Sequence, residues 1–91
     1  VKRRVTLGGG ALKKFSAVAL LDPRTQVLAG STQEGMMTFI TRSRVIGFPD
    51  YTTALLQGDD LLVFARLRFG KSDTGVNAAR VDRWIAMLTA N

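Results

Sequence analysis

The pattern of apolar positions divides the chain into a helix near the start, a central block of strands and a second helix near the end. Apolar residues first recur at helical spacing at Leu12, Phe15, Val18 and Ala19. This spacing predicts an amphipathic helix over about residues 10–21. The helix is expected to end at Asp22, because the proline that follows it disfavours helical backbone in the residue before it.

Four segments rich in β-branched, aromatic and aliphatic residues come next, and they predict four strands. The predicted strands are residues 25–31, 36–45, 50–57 and 61–69. The first two and the last two are joined by short polar segments that contain glycine, which is the composition of hairpin loops. The simplest arrangement is therefore an antiparallel sheet.

Helical spacing returns in the last segment of the chain. Apolar residues there occupy positions i, i+3, i+4 and i+7, namely Val81, Trp84, Ile85 and Leu88. Asn77 lies just ahead of them and is the expected N-cap. The order of elements is then α-β-β-β-β-α. This order predicts an α+β fold, a two-layer sandwich in which both helices pack on one face of a four-stranded antiparallel sheet.

The length of the chain limits it to one core. Ninety-one residues with 46% hydrophobic content can enclose only one hydrophobic core, so residues 10–91 are expected to form a single domain. Residues 1–9 combine charge with glycine and lack apolar periodicity, which predicts a flexible leader. The chain begins with Val1, so we expect an excised domain whose native N-terminus lies upstream. No apolar run approaches the length of a membrane span.

Composition removes several kinds of chemistry. The chain has no cysteine and no histidine, which excludes thiol nucleophiles, imidazole bases and the usual zinc ligands. We therefore expect no cofactor and no metal. The net charge of +6 favours an anionic small molecule or an acidic partner. Nucleic acid is disfavoured, because only Phe64 and Tyr51 are available to stack on bases among the arginines.

Two pairs of arginines alternate with apolar residues along two predicted strands, Arg42 with Arg44 and Arg66 with Arg68. Alternation directs all four away from the face that the helices cover. If these strands are neighbours, the guanidinium groups share one sheet face and suit recognition of a carboxylate or phosphate. The alternative is a solvated basic face with acidic side chains as ion-pair partners.

Two aspartates and two serines are the candidate reactive groups. Asp50 and Asp73 are either ion-pair partners of the arginines or the two carboxylates of a hydrolase or transferase. Nearby arginines favour the ionised form of both, which suits a general acid poorly. Ser43 and Ser72 have no histidine partner, and no motif supports a serine–lysine arrangement. The composition therefore favours a non-catalytic domain.

The segment from Gly70 to Asn77 joins the last predicted strand to the last helix. Its glycines allow backbone N–H groups to converge on an anion at the start of the helix. The P-loop and dinucleotide-binding patterns are both absent. The alternative is a structural turn in which the side chains of Asp73 and Asn77 accept hydrogen bonds from backbone donors.

Two separated motifs carry a resemblance to a known family. They are TRSRVIGFPDY at residues 41–51 and ARLRFGKSDTGVN at residues 65–77, followed by Arg80, Val81 and Trp84. In this order they resemble the bacterial domain-of-unknown-function family DUF1499, and most closely its alphaproteobacterial members. The resemblance covers about residues 15–88. The chain departs from it at Ala65, where the family pattern has a serine.

The resemblance implies a domain of the cell envelope, because family members often carry an N-terminal hydrophobic segment or lipoprotein signal. A periplasmic or membrane-associated location is therefore expected, with any anchor lying in the full-length protein. The family has no established activity. Its motif positions in this chain are Arg42, Ser43, Gly47, Phe48, Asp50, Arg66, Arg68, Gly70, Ser72, Asp73, Gly75, Asn77 and Arg80.

These observations together predict a binding module for an anionic ligand or partner. The predicted ligand-binding residues are Arg42, Ser43, Asp50, Arg66, Arg68, Ser72, Asp73, Asn77 and Arg80. In this hypothesis the arginines bind the anion and the two aspartates orient the guanidinium groups. The alternatives are an enzyme that uses the aspartates and a structural or oligomer-forming module. The sequence leaves the oligomeric state and the ligand open.

Overall fold

In the residues that it describes, the computed structural model contains five strands and two helices in two layers. It describes residues 2–6, 10–42, 49–67 and 76–89, with residues 66, 67, 76 and 77 described by their backbone alone. The elements in chain order are β1 (Lys2–Thr6), α1 (Ala11–Ala19), β2 (Thr25–Ser31), β3 (Met36–Arg42), β4 (Pro49–Gln57), β5 (Asp60–Leu67) and α2 (Val76–Thr89).

All neighbouring strands are antiparallel, and the strand order across the sheet is β1-β5-β4-β3-β2. Strands β2 to β5 form a meander, and β1 completes the sheet beside β5. The chain therefore passes from one edge of the sheet to the other between β1 and β2, and α1 lies in that connection. The predicted α+β class is confirmed, but the predicted number of four strands is wrong.

The additional strand is β1, which lies in the segment expected to be a flexible leader. Its register pairs Lys2 with Phe64 and Thr6 with Asp60. Arg3 donates from Nε to Asp82 on α2 at 2.8 Å, and Arg4 Nε lies 2.7 Å from an Asp60 carboxylate oxygen. Backbone pairing and ion pairs thus hold a strand that has no run of apolar residues. These partners are far away in sequence, so local periodicity does not indicate the strand.

Some element boundaries also differ from those expected. The helix predicted over residues 10–21 extends from Ala11 to Ala19, with Gly10 as its N-cap. Asn77 is the second residue of α2 rather than its N-cap, because the helix begins at Val76. Apolar spacing identifies the buried face of a helix but leaves its first turn undetermined. Residues 43–45, 68 and 69, predicted as strand, lie outside the described residues.

Both helices pack on the same face of the sheet, as predicted. The buried apolar residues are Ala11, Leu12, Phe15, Ala19, Met37, Phe39, Ala54, Leu61, Val63, Ala65, Val81 and Trp84. The Phe15 ring on α1 contacts Phe39 on β3 and Trp84 on α2, each with centroids 5.8 Å apart. Phe15 therefore joins the two helices to each other and to the sheet.

A β-bulge interrupts the pairing of β2 with β3. Val27 pairs with Phe39, whereas Ala29 pairs with the preceding residue, Thr38, which leaves Leu28 as the extra residue. Gly30 follows with φ +85°, and a Cβ at this position would overlap the Met36 carbonyl oxygen. A side chain is thus excluded here both by backbone conformation and by lack of space. The bulge adds an apolar side chain at the edge of the uncovered face.

Candidate functional site

The sheet face opposite the helices carries a groove of about 610 Å³. This volume falls within the range of small-molecule sites, roughly 300–1,000 Å³. The lining residues are Leu28, Thr38, Tyr51, Thr53, Phe64 and Ala65. They come from four neighbouring strands, so the groove runs across the sheet. We call this feature the open-face groove.

The floor of the open-face groove consists of short side chains. Thr38 and Thr53 pair across β3 and β4, and their hydroxyl oxygens lie 3.0 Å apart in a hydrogen bond. One of the two hydroxyls donates to the other, and the threonine methyl groups add apolar surface. The surface is concave here because the short threonine side chains lie between larger side chains.

Leu28 and Phe64 form the two ends of the groove. Register places them on opposite sides of the threonine pair, since Ala29 beside Leu28 pairs with Thr38, and Thr53 pairs with Phe64. Leu28 is 54% exposed and Phe64 is 36% exposed. Each large apolar side chain thus presents surface to solvent at an end of the groove.

A cation lies at the Phe64 end. Lys2 is the register partner of Phe64 on β1, and its Nζ atom lies 5.4 Å from the centre of the Phe64 ring. This is a cation–π arrangement, in which the ring face attracts the ammonium group. The groove therefore has an apolar end at the Leu28 bulge and a positively charged end at β1.

Two of the predicted arginines occupy positions beside the groove. Tyr51, which lines the groove, pairs with Arg66 on β5 and with Ile40 on β3. Arg42 lies two residues beyond Ile40 and pairs with Pro49. In the described part of the chain, no carboxylate lies within ion-pair distance of Arg42, whose side chain is exposed.

Asp50 lies on the opposite side of the sheet from Tyr51. Its carboxylate accepts a hydrogen bond of 3.1 Å from Nη1 of Arg80 on α2. The Asp50 side chain is 8% exposed and that of Arg80 is 11% exposed, so this is a buried ion pair. Because successive strand residues alternate between faces, Asp50 is directed to the helices while Tyr51 borders the groove.

Further buried polar groups accompany the ion pair on the helix side. Thr41 is the register partner of Asp50, and its hydroxyl oxygen lies 2.7 Å from that of Thr25. Thr52 is fully buried, and its hydroxyl has no hydrogen-bond partner among the described residues. These groups lie between the sheet and the helices and form a cluster of buried polar side chains.

The structure brings together some of the predicted site residues and separates others. Asp50 and Arg80 meet in the buried pair, whereas Arg42 and the position of Arg66 are on the other side of the sheet. Asn77 lies in the first turn of α2. The remaining candidates, Ser43, Arg44, Arg68, Ser72 and Asp73, lie outside the described residues.

The sequence interpretation missed most of the groove. Thr38 and Thr53 are ordinary strand residues, and only their register makes them the floor between two larger side chains. Leu28 reaches the groove because of the bulge, which the apolar pattern does not indicate. Within residues 2–6, 10–42, 49–67 and 76–89, no group of three or more acidic side chains is arranged to hold a metal ion.

The sequence profile of the family described as "Protein of unknown function (DUF1499)" matches residues 7–88. The chain belongs to the DUF1499 family. Among the described elements of this DUF1499 domain, β1 lies before the match, and the match ends one residue before the end of α2. No curated protein and no solved structure matches the chain. No helix in the described part of this DUF1499 domain is long and apolar enough to cross a membrane.

Proposed function

We propose that this DUF1499 domain is a non-catalytic binding module that holds an anionic ligand on the open face of its sheet. The guanidinium groups of Arg42 and Arg66 bind the anion beside Tyr51. Arginine suits this role because its planar group donates two parallel hydrogen bonds to a carboxylate or phosphate.

The observation that carries the proposal is the register of the three strands at this end of the sheet. It places Arg42 on β3 and Arg66 on β5 on either side of β4. The β4 acid between them, Asp50, faces the helices and is held by Arg80. An anion on the open face therefore does not compete with this carboxylate for the two arginines.

The same pairing supports a role without catalysis. A general acid or base must come within hydrogen-bond reach of the substrate atom that it serves. The Asp50 carboxylate is almost fully enclosed and already accepts a hydrogen bond from Arg80. We therefore propose that Asp50 stabilises the fold.

We also propose that the full-length protein is located in the cell envelope, either in the periplasm or attached to a membrane. The support is the family's frequent N-terminal hydrophobic segment, and the motif likeness to alphaproteobacterial members suggests the same origin for this chain. Fractionation of cells that produce the full-length protein checks the location. Recovery of all of it with cytoplasmic proteins would contradict the proposal.

The binding proposal is tested by NMR titration of ¹⁵N-labelled domain with inorganic phosphate at constant ionic strength. We expect saturable shifts of the backbone amides of Arg42, Tyr51 and Arg66. The Arg42→Gln/Arg66→Gln variant is expected to fold normally, as far-UV circular dichroism would show, and to lose these shifts.

Lys13→Gln/Lys14→Gln is the matched control, because both lysines are exposed on α1 in the other layer. It removes the same charge and is expected to leave the phosphate shifts unchanged. Equal loss of phosphate binding in the two variants would show that binding depends only on the net charge of the domain, and it would contradict the proposal. An unfolded arginine variant would instead show that these arginines are structural.

An oligomer-forming module is the second candidate, favoured by the exposed edge strand β2. This strand carries no charged residue and exposes Val27 and Leu28. Uncharged edge strands readily pair with other chains. Light scattering distinguishes the two candidates, because it measures the mass of the particle in solution. A mass of twice the chain's 9.9 kDa that falls to 9.9 kDa in the Val27→Lys variant would favour pairing of two chains through β2.

A further inference from the structure

The open-face groove extends the proposed anion site with an apolar surface. Tyr51 belongs to both the groove and the proposed anion site, because it lines the groove and is the register partner of Arg66. A ligand whose anionic group lies at the arginines would therefore place its next atoms in the groove. Because the groove adjoins the anion site, its surface limits the chemical class of the ligand more narrowly than the charge of the site does.

The surface of the groove is mainly apolar. The Thr38 and Thr53 hydroxyls of its floor are hydrogen-bonded to each other. Its ends are the exposed side chains of Leu28 and Phe64. Covering such surface with an apolar group is favourable, because it removes apolar surface from water.

The shape of the groove favours an extended chain over a bulky ring system. It runs from β2 to β5, which spans three strand spacings, or about 14 Å. Its floor, Thr38 and Thr53, lies in a single row of register partners that begins at Ala29 and ends at Phe64. A linear aliphatic chain fits along this row.

The charges around the groove determine the sign of the head group. Lys2 lies over the Phe64 ring at one end, and Arg42 and Arg66 occupy positions beyond Tyr51. In the described residues lining the groove there is no acidic side chain. An anionic head group is therefore complementary to this border, and a cationic one is not.

We infer that the ligand is a soluble single-chain amphiphile with an anionic head, such as an alkyl carboxylate. Its chain lies in the open-face groove between Leu28 and Phe64, and its head lies at the cationic border. This inference rests on the proposed function, because it uses the same arginines for the head group.

Sodium decanoate, kept below its micelle concentration, tests the inference in NMR titrations. We expect decanoate to bind more than tenfold more tightly than acetate and to shift amides of Thr38, Thr53 and Phe64. Decyltrimethylammonium has the same chain with a cationic head, and we expect no saturable binding from it.

Leu28→Asp places a carboxylate at the apolar end of the groove and is expected to reduce decanoate affinity at least tenfold. Its effect on phosphate binding should be small. Leu21→Asp is the matched control, because Leu21 is 70% exposed at the end of α1, away from the groove. It should bind decanoate as the unmodified domain does.

The outcomes separate this inference from the proposed function. Decanoate affinity equal to that of acetate, with phosphate binding intact, would overturn the inference and leave the anion site standing. Decanoate binding that is unaffected by Arg42→Gln/Arg66→Gln would overturn the role of the arginines. Binding to phosphatidylglycerol vesicles without binding of free decanoate would overturn the choice of a soluble ligand.

Discussion

At the scale of single residues, Asp50 and Arg80 form a buried ion pair, whereas Arg42 is exposed. A charge taken out of water is costly unless a partner of opposite charge compensates it. Asp50 and Arg80 compensate each other at 3.1 Å between β4 and α2. The pair therefore links the sheet to the helix layer.

Removing one partner should strongly destabilise the domain. We expect Arg80→Met to reduce the free energy of unfolding by about 3–5 kcal/mol, because it leaves the Asp50 carboxylate buried and unpaired. Urea denaturation followed by circular dichroism measures this. Arg83→Met on the same helix is the control, since Arg83 is 60% exposed and 3.9 Å from Asp22. We expect a change within about 0.5 kcal/mol there, and equal losses in both variants would contradict the structural role of Arg80.

At the scale of elements, β1 is held by backbone pairing with β5 and by ion pairs with Asp60 and Asp82. Arg3 lowers the pKa of Asp82 by donating a hydrogen bond to its carboxylate. The Thr6 hydroxyl, with a smaller contribution from Arg4, lowers the pKa of Asp60. Both acids lie on elements outside β1, on α2 and β5. The protonation state of two side chains therefore affects the attachment of a whole strand.

We predict that acid weakens the attachment of β1 before the rest of the sheet. A lowered pKa in the folded state means that the ionised acid stabilises β1 above the unfolded value of about 3.9. This contribution is lost as the pH falls through the lower folded-state values. Backbone ¹⁵N relaxation of residues 2–6 should show increased motion below about pH 4, while β3 and β4 remain rigid.

Two variants test the cause of this effect. Asp82→Asn should increase the motion of β1 already at neutral pH, because it removes the carboxylate partner of Arg3. Asp59→Asn removes an exposed acid in the β4–β5 turn and should leave β1 unchanged. Motion of β1 that is independent of pH and of Asp82 would show that backbone pairing alone holds the strand.

At the scale of the whole molecule, the two faces of one sheet have different surroundings. The helices cover one face and enclose the core, and Phe15 contacts both Phe39 and Trp84 there. The other face carries the open-face groove. Changes to the groove should therefore alter binding with little effect on stability, whereas changes to the core should affect the whole fold.

Phe15→Ala tests this separation. We expect it to reduce the free energy of unfolding by about 3–5 kcal/mol, because it removes a fully buried ring that joins both layers. Fluorescence of Trp84, the only tryptophan, should report the same transition as far-UV circular dichroism. Phe64→Ala makes the same chemical change on the open face and should cost about 1 kcal/mol or less. Separate transitions for the two probes would contradict a single cooperative core.

The amino-acid sequence alone determined the elements whose information is local. Apolar spacing at Phe15 and Trp84 identified both helices and their buried faces, because a helix repeats its face within a few residues. Alternation along the last strand likewise predicted that Phe64 faces away from the helices, where it lines the groove. The α+β class followed from the order of these elements.

Only the tertiary structure decided the features that depend on partners distant in the chain. Strand β1 is held by β5 and by Asp82, neither of which the sequence of residues 2–6 indicates. The bulge at Leu28 and the row from Thr38 to Phe64 require the register of the strands. Register is set by long-range pairing and packing, so the groove and the pairing of Asp50 with Arg80 emerge only when the sheet is assembled.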